Sequence, residues 1–91
     1  MEAILRANPN SAEAHEFLGN LFNAKGEPDR AIDHYREAIR IAPDFDRANL
    51  DLGSALAAKG DASAALPYLR KAAQSKDAQT RAAALKILNK P

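Results

Sequence analysis

The chain has 91 residues, enough for one small domain, with 46% hydrophobic and 5% aromatic residues and no Cys or Trp. Its 13 Lys and Arg residues nearly balance 12 Asp and Glu residues, so the formal charge of +1 gives no reason to expect nucleic acid as a partner. The lack of Cys excludes disulfides and thiolate metal sites. Apolar runs are too short for membrane insertion or a secretory signal, which favours the cytoplasm as the location.

The first residues of the chain have the composition of a helix interior rather than of a helix start. We expect residues 1–11 to be the end of a helix that belongs to a preceding repeat. The chain is then a piece of a longer protein, with Met1 as an added start.

Two helices are predicted next, over residues 12–25 and from about residue 28 to residue 42. Ser11 is a good N-cap for the first helix, and Gly26 can take the left-handed conformation that ends it. Pro28 suits the first position of the second helix, and Pro43 prevents its continuation. The predicted inner face of the second helix consists of Ala31, Tyr35, Ala38 and Ile39.

A shift of 34 residues superimposes this pair of helices on the next part of the chain. Residues 12–45 and residues 46–79 share nine identities, among them Gly19 with Gly53 and Gly26 with Gly60. A fixed period of this length is typical of a solenoid, in which each repeat packs against the next.

Pro67 is the one residue that disturbs the second repeat. It falls inside the expected second helix, where a proline costs about 3 kcal/mol or more. We therefore predict that this helix starts late, near Ala64 with Ser63 as its N-cap, or that it is bent there. A last helix is predicted over residues 78–89, with Ala82, Leu85 and Leu88 on one stripe, and residues 78–91 should cap the second repeat.

The small and bulky residues of both units follow the tetratricopeptide pattern W-x2-L-G-x2-Y, A-x3-F and P. The first unit has His15-x2-Leu18-Gly19-x2-Phe22, Ala31-x3-Tyr35 and Pro43; the second has Asn49-x2-Leu52-Gly53-x2-Leu56 and Ala65-x3-Leu69. The chain therefore resembles the tetratricopeptide repeat (TPR) family over nearly its whole length. It departs from the pattern at His15 and Asn49, which replace a bulky residue, and at Asp77, which replaces Pro.

The resemblance implies an all-α fold, a right-handed α-solenoid of antiparallel helix-turn-helix repeats. Residues 1–91 then form a single domain with repeat 1 at 12–45 and repeat 2 at 46–79. Small residues at Gly19, Ala31 and Ala38 should let the two helices of a repeat approach each other closely.

No residues are arranged as in a catalytic or metal site. His15 should lie between helices and His34 should be exposed on another helix, so we expect neither to bind a metal. The carboxylate pairs should lie on solvated helix turns rather than converge in a pocket; they are Glu13/Glu16, Asp29/Asp33 and Asp44/Asp46. We therefore expect no enzyme activity and no cofactor.

The resemblance implies instead that the first helix of each repeat lines a concave groove that holds a peptide. The implied groove residues are Glu13, Glu16, Asn20, Asn23, Ala24, Arg47, Leu50, Ser54, Ala57 and Ala58, with Arg81, Ala84 and Leu88 from the last helix. One TPR subtype grips the C-terminal carboxylate of heat-shock chaperones with Lys, Asn and Arg. Asn20 matches an Asn of that clamp, but Glu16 stands where Lys would be and Ser54 where the second Asn would be. We therefore expect no such clamp, and the alternative for Glu16 and Asn20 is a merely solvated helix surface.

Three functions follow from these observations. The leading hypothesis is a protein–protein interaction or scaffold module that binds a peptide with basic and apolar groups. The second is a structural arm that positions a neighbouring domain or weakly self-associates. The third is the repeat arm of an enzyme such as a glycosyltransferase, with no catalysis by this part of it.

Overall fold

A computed structural model describes residues 11–89, and these residues are all in α-helices or in the short segments that join them. In chain order the helices are α1 (Ala12–Ala24), α2 (Pro28–Ile41), α3 (Asp46–Ala58), α4 (Ala62–Ala72) and α5 (Ala78–Leu88). The chain divides between Phe45 and Asp46 into two compact units. Unit one contains α1 and α2, and unit two contains α3, α4 and α5. The helix predicted at residues 1–11 lies outside the described residues, apart from Ser11.

Helices α1 and α3 end in turns of the same type, as predicted from the glycine that follows each helix. Gly26 has a φ of +79° and Gly60 a φ of +90°, a region that residues with a Cβ avoid. In the first turn the Glu27 N–H donates to the Phe22 carbonyl at 2.9 Å, and the Asp61 N–H makes the equivalent bond after Gly60. This is the Schellman arrangement, which satisfies carbonyl groups that the end of a helix leaves without partners.

Helices α1 and α2 begin as predicted, but α4 does not. The Ser11 hydroxyl accepts from the Ala14 N–H at 3.1 Å, and α2 starts at Pro28. Helix α4 begins at Ala62, so the predicted late start near Ala64 is wrong. The cap is Asp61, whose carboxylate accepts from the Ala64 N–H at 3.2 Å.

Pro67 is consequently the sixth residue of α4 and lies in its interior. Its ring nitrogen has no hydrogen, so the Ser63 carbonyl lacks the usual donor four residues later. Ser63 is exposed, and water can supply that hydrogen bond. A carboxylate cap at the positive end of the helix is also favourable, which explains why α4 starts at Ala62 despite Pro67.

The core of unit one lies between α1 and α2 and contains Ala14, Leu18, Ala31, Ile32, Tyr35 and Ala38. Ile32 is buried, whereas Ile39, which we predicted on the inner face, is half-buried. The Tyr35 ring of α2 lies directly against the backbone of α1 at Gly19. A Cβ added there would lie 2.6 Å from Cδ1 of Tyr35, nearer than unbonded carbons can come.

Unit two has the same close approach at Gly53, where an added Cβ would lie 2.6 Å from Cγ of Leu69. Its core contains Ala48, Leu52, Ala55, Leu56, Ala65, Leu69, Ala72 and Ala84. Glycine is thus required at the equivalent position of both units, because the bulky side chain of the second helix occupies the space.

Helix α5 packs in unit two through a different stripe from the one predicted. Ala82 and Leu85 are exposed and Leu88 is half-buried, so that stripe is wrong. The buried residues are Thr80 and Ala84, which are four positions apart. Positions spaced by three drift around a helix of 3.6 residues per turn, whereas a spacing of four keeps two small side chains on one face. The Asp77 carboxylate caps α5 by accepting from the Thr80 N–H at 3.2 Å and from its hydroxyl at 2.6 Å.

Candidate functional site

The candidate residues of unit one form one stripe along α1, because they are spaced by three and four positions. Glu13, Asn20 and Asn23 are exposed. Glu16 is only 5% exposed, so the alternative of a merely solvated surface is wrong for this residue. The stripe therefore consists of exposed polar side chains around a buried carboxylate.

Hydrogen bonds join Glu16 and Asn20 to the second helix of the unit. The Asn20 side-chain nitrogen, Nδ2, donates to Oε2 of Glu16 at 2.8 Å. The Tyr35 hydroxyl donates to Oδ1 of Asn20 at 2.6 Å. A buried carboxylate is costly unless it accepts hydrogen bonds, so the Asn20 amide helps to stabilise Glu16 in this position.

His15 and His34 form a second polar contact between α1 and α2. Their Nδ1 atoms lie 3.1 Å apart, and the ring centres lie 5.4 Å apart. The distance between the ring centres exceeds the distance between the Nδ1 atoms by about one ring diameter. Both Nδ1 atoms therefore lie close to the line that joins the ring centres, and they point at each other. One Nδ1 must then carry a hydrogen and the other must accept it. Because their lone pairs do not converge on a common point, the pair is a hydrogen bond rather than the start of a metal site.

The prediction that His34 is exposed is wrong, since it is half-buried. Its ring stacks on Phe22 with the ring centres 5.3 Å apart and the planes 10° apart. Burial, and to a lesser degree the neighbouring His15, lower the pKa of His34, while Asp33 opposes this shift. The His34 ring therefore favours its neutral form. Within residues 11–89, no three His, Asp or Glu side chains are grouped in a way that could hold a metal ion.

The candidate residues of unit two form the equivalent stripe on α3. Arg47 is exposed, and Leu50, Ser54 and Ala57 are half-buried. This surface combines a basic group with apolar and small side chains, unlike the acidic and amide-rich stripe of α1. Ala84 of α5 is fully buried, so its predicted place in a groove is wrong.

Sequence reasoning missed the contact between Tyr35 and Asn20. The residues carry a signal that could have revealed it, because Tyr35 stands where the repeat pattern has Phe. A buried tyrosine hydroxyl usually has a hydrogen-bond partner. Asn20 follows Gly19, over which the ring packs, and so was the nearest polar side chain of the site.

Comparisons with known proteins agree with this architecture. One family model described as TPR repeat matches residues 19–60, and a second, described as tetratricopeptide repeat, matches residues 46–79. A crystal structure of MamA protein matches 74% of this chain with 36% sequence identity and a TM-score of 0.66. The chain spans 37% of the length of that structure.

No helix in the described part of the chain combines the length and the apolar character that crossing a membrane requires. The fold is all-α and of the α-solenoid class. Since the two family models together match residues 19–79, and the MamA structure matches most of the chain, this protein belongs to the tetratricopeptide repeat family.

Proposed function

We propose that the chain is a protein–protein interaction module that binds a peptide segment on the stripes of candidate residues along α1 and α3. Tetratricopeptide repeats generally mediate protein–protein interaction and scaffolding, which supports the general role. The observation that carries the proposal is the state of Asn20, which is exposed and yet held by two hydrogen bonds. A polar group that is already ordered loses less conformational entropy when a ligand binds to it.

The chemistry of the two stripes indicates the kind of peptide. Glu13 favours a basic group, and Asn20 and Asn23 can hydrogen-bond to main-chain or side-chain amides. In unit two Leu50 offers apolar surface beside the basic Arg47. A basic group suits the stripe of α1 and an apolar group suits Leu50 on α3, so we infer a peptide that carries both groups, extended or helical.

The proposal assigns no reaction to this chain, in keeping with a family whose members are typically non-enzymatic scaffolds. A cavity of about 170 Å³ in unit two is lined by Ala57, Ala62, Ala65, Leu66, Leu69, Ile87 and Leu88. These side chains include no acid, base or nucleophile. In unit one the two His side chains hydrogen-bond to each other.

The test uses a library of short random peptides with both ends blocked, selected on the immobilised chain. We expect recovered peptides to bind in solution and Leu50→Arg to abolish that binding, because it places a charge and a long side chain on the α3 stripe. Leu66→Arg is the matched control on α4, where the side chain is 38% exposed. Binding that survives Leu50→Arg, or that is lost equally in the control, contradicts the proposal.

Self-association is a second candidate, favoured by the exposed side chains of Phe17, Leu66 and Leu85. Exposed apolar side chains of this size can form contacts between copies. Sedimentation at increasing concentration distinguishes the candidates, since self-association predicts a rising mass that Leu66→Arg or Leu85→Arg reduces. A mass that stays at one chain contradicts it.

A further inference from the structure

We propose that Tyr35 is a positioning residue for ligand recognition, because its hydroxyl fixes the Asn20 amide in one orientation. We further propose that the group recognised there is a neutral main-chain amide inside a peptide rather than a terminal carboxylate. Both statements rest on the proposed function, since they describe how the α1 stripe would contact a bound peptide.

The orientation of the Asn20 amide follows from the direction of its hydrogen bonds. An ionised carboxylate only accepts, so the group of Asn20 that faces Oε2 of Glu16 must be the donor nitrogen Nδ2. The carbonyl Oδ1 then faces Tyr35, and the hydroxyl must donate to it. Reversing the amide would place an oxygen against the Glu16 carboxylate. The chain of three side chains therefore has a single polarity.

Tyr35 can hold this position because its ring is closely packed in the core of unit one. The side chain is 2% exposed and lies over Gly19, where no side chain separates the two helices. A hydroxyl on a ring packed in this way is fixed by the core and not by the surface. The position of Asn20, although exposed, is thus determined from inside unit one.

The bonding capacity left on Asn20 indicates the ligand. A carboxamide has two N–H donors and two lone pairs, and Glu16 and Tyr35 use one of each. One donor and one acceptor are left, which matches the C=O and N–H of a peptide main chain. The carboxylate of Glu16 lies 2.8 Å from Nδ2, so a ligand carboxylate on the same nitrogen would bring two negative charges together.

The experiment measures the affinity of a peptide recovered from the blocked library for four proteins: the wild-type chain, Tyr35→Phe, Asn20→Ala and the double variant. Tyr35→Phe keeps the ring that packs on Gly19 and removes only the hydroxyl. We expect roughly tenfold weaker binding, as for the loss of about one hydrogen bond. Asn20→Ala should weaken binding to a similar extent, and the double variant should be no weaker than Asn20→Ala, because Tyr35 acts through Asn20.

Tyr68→Phe is the matched control, since it removes the hydroxyl of a half-buried tyrosine from α4 of unit two. It should leave the affinity unchanged, and amide spectra of all variants should show the native fold. A second library with free C-terminal carboxylates should yield no peptide whose Asn20-dependent binding requires the free carboxylate.

Other outcomes of these binding measurements would contradict the role of Tyr35, the ligand class or the proposed function. Peptide binding that depends on Leu50 but not on Tyr35 overturns this inference and leaves the proposed function intact. Independent, additive losses in the double variant also overturn it. Peptides that bind through Asn20 only with a free carboxylate overturn the ligand class, and failure to recover any peptide contradicts the proposed function together with the inference.

Discussion

The two units of this protein share a backbone arrangement but differ in what they bury at its centre. In unit one the tyrosine ring of Tyr35 lies over Gly19, and in unit two the leucine side chain of Leu69 lies over Gly53. The turns at Gly26 and Gly60 are the same. The close approach of two helices therefore does not depend on which bulky side chain fills the gap.

The chemistry around that gap does depend on it. Tyr35 brings a hydroxyl to Asn20, and a polar network extends to Glu16. The positions equivalent to Asn20 and Glu16, 34 residues later, are Ser54 and Leu50. In unit one Tyr35 thus adds a hydrogen bond between the two helices to its packing, whereas in unit two the Leu69 side chain contributes packing alone. One residue of the repeat pattern can therefore decide whether the polar side chains on the surface of that repeat are held in place before a ligand binds.

Removal of the bulky side chain is expected to have the largest effect in both units. Tyr35→Ala should lower the free energy of unfolding by about 4 kcal/mol and Leu69→Ala by about 3 kcal/mol, because each leaves a cavity in a small core. Urea unfolding followed by circular dichroism measures both. Leu85→Ala is the control, since Leu85 is 42% exposed and its loss should change the free energy by less than about 0.5 kcal/mol. Similar losses for buried and exposed leucines would contradict the packing described for unit two.

An added methyl group at the close approach should have a smaller effect in both units. Gly19→Ala forces a Cβ to within 2.6 Å of the Tyr35 ring, and we expect a net loss of about 1–2 kcal/mol after the better helix propensity of Ala is included. Gly53→Ala should have a similar cost, and the same urea experiment reports both.

The same glycine substitutions, made in variants that lack the bulky side chain, distinguish the two units. In Tyr35→Ala, the change Gly19→Ala should become neutral or stabilising, since the three heavy atoms nearest to the added Cβ all belong to the Tyr35 ring. In Leu69→Ala the rescue of Gly53→Ala should be incomplete, because the Leu69 backbone nitrogen also lies 3.3 Å from the added Cβ. Additive losses in both backgrounds would show that the glycines are needed for another reason.

Mild acid should have the smallest effect, and it should act on unit one. Burial and His15 lower the pKa of His34 below its usual value of 6.5. Between pH 6.5 and the lower folded value, the unfolded chain binds the proton more readily, so stability falls as the pH drops through this window. We expect a lower midpoint of thermal unfolding at about pH 5.5 than at about pH 7, and His34→Gln should flatten that slope.

The carboxylates of Glu37 and Asp77 change protonation in a lower pH range than His34, so they do not affect the test of His34. Hydrogen bonds from Arg40 lower the pKa of Glu37, and hydrogen bonds from Thr80 lower the pKa of Asp77. Their contributions are complete above the unfolded values of 4.5 and 3.8 and decline only below them. An equal slope in wild type and His34→Gln above pH 5 would exclude His34 as the cause.

Much of the fold was predictable because the ends of helices are determined locally. Ser11 and Gly26 act on backbone groups within five residues of themselves, and Gly60 repeats the second effect. The period of 34 residues then transfers each assignment from one unit to the other. Local capping chemistry and a fixed repeat length therefore suffice to identify four of the helices in the described part, although not the first residue of α4.

The errors arose where two local signals compete or where a long-range contact decides. At the start of α4, the rule against an interior proline favoured Ser63 as the cap, but the Asp61 carboxylate is the cap. The alternative of a merely solvated surface was wrong for Glu16, because that side chain is buried and bonded to Asn20. The contact between Asn20 and Tyr35 joins residues on different helices, so no periodicity within α1 could predict it.

The open turns at Gly26 and Gly60 have a practical consequence for spectroscopy. A Cβ added at either glycine meets no described heavy atom within 4 Å, and the chain contains no Cys. A cysteine introduced at each turn would be the only thiol in its unit, and a dye attached there would extend into solvent. The penalty is the backbone strain of a positive φ, about 1–2 kcal/mol at each site. Energy transfer between two such dyes would report the distance between the units in solution, with and without a bound peptide.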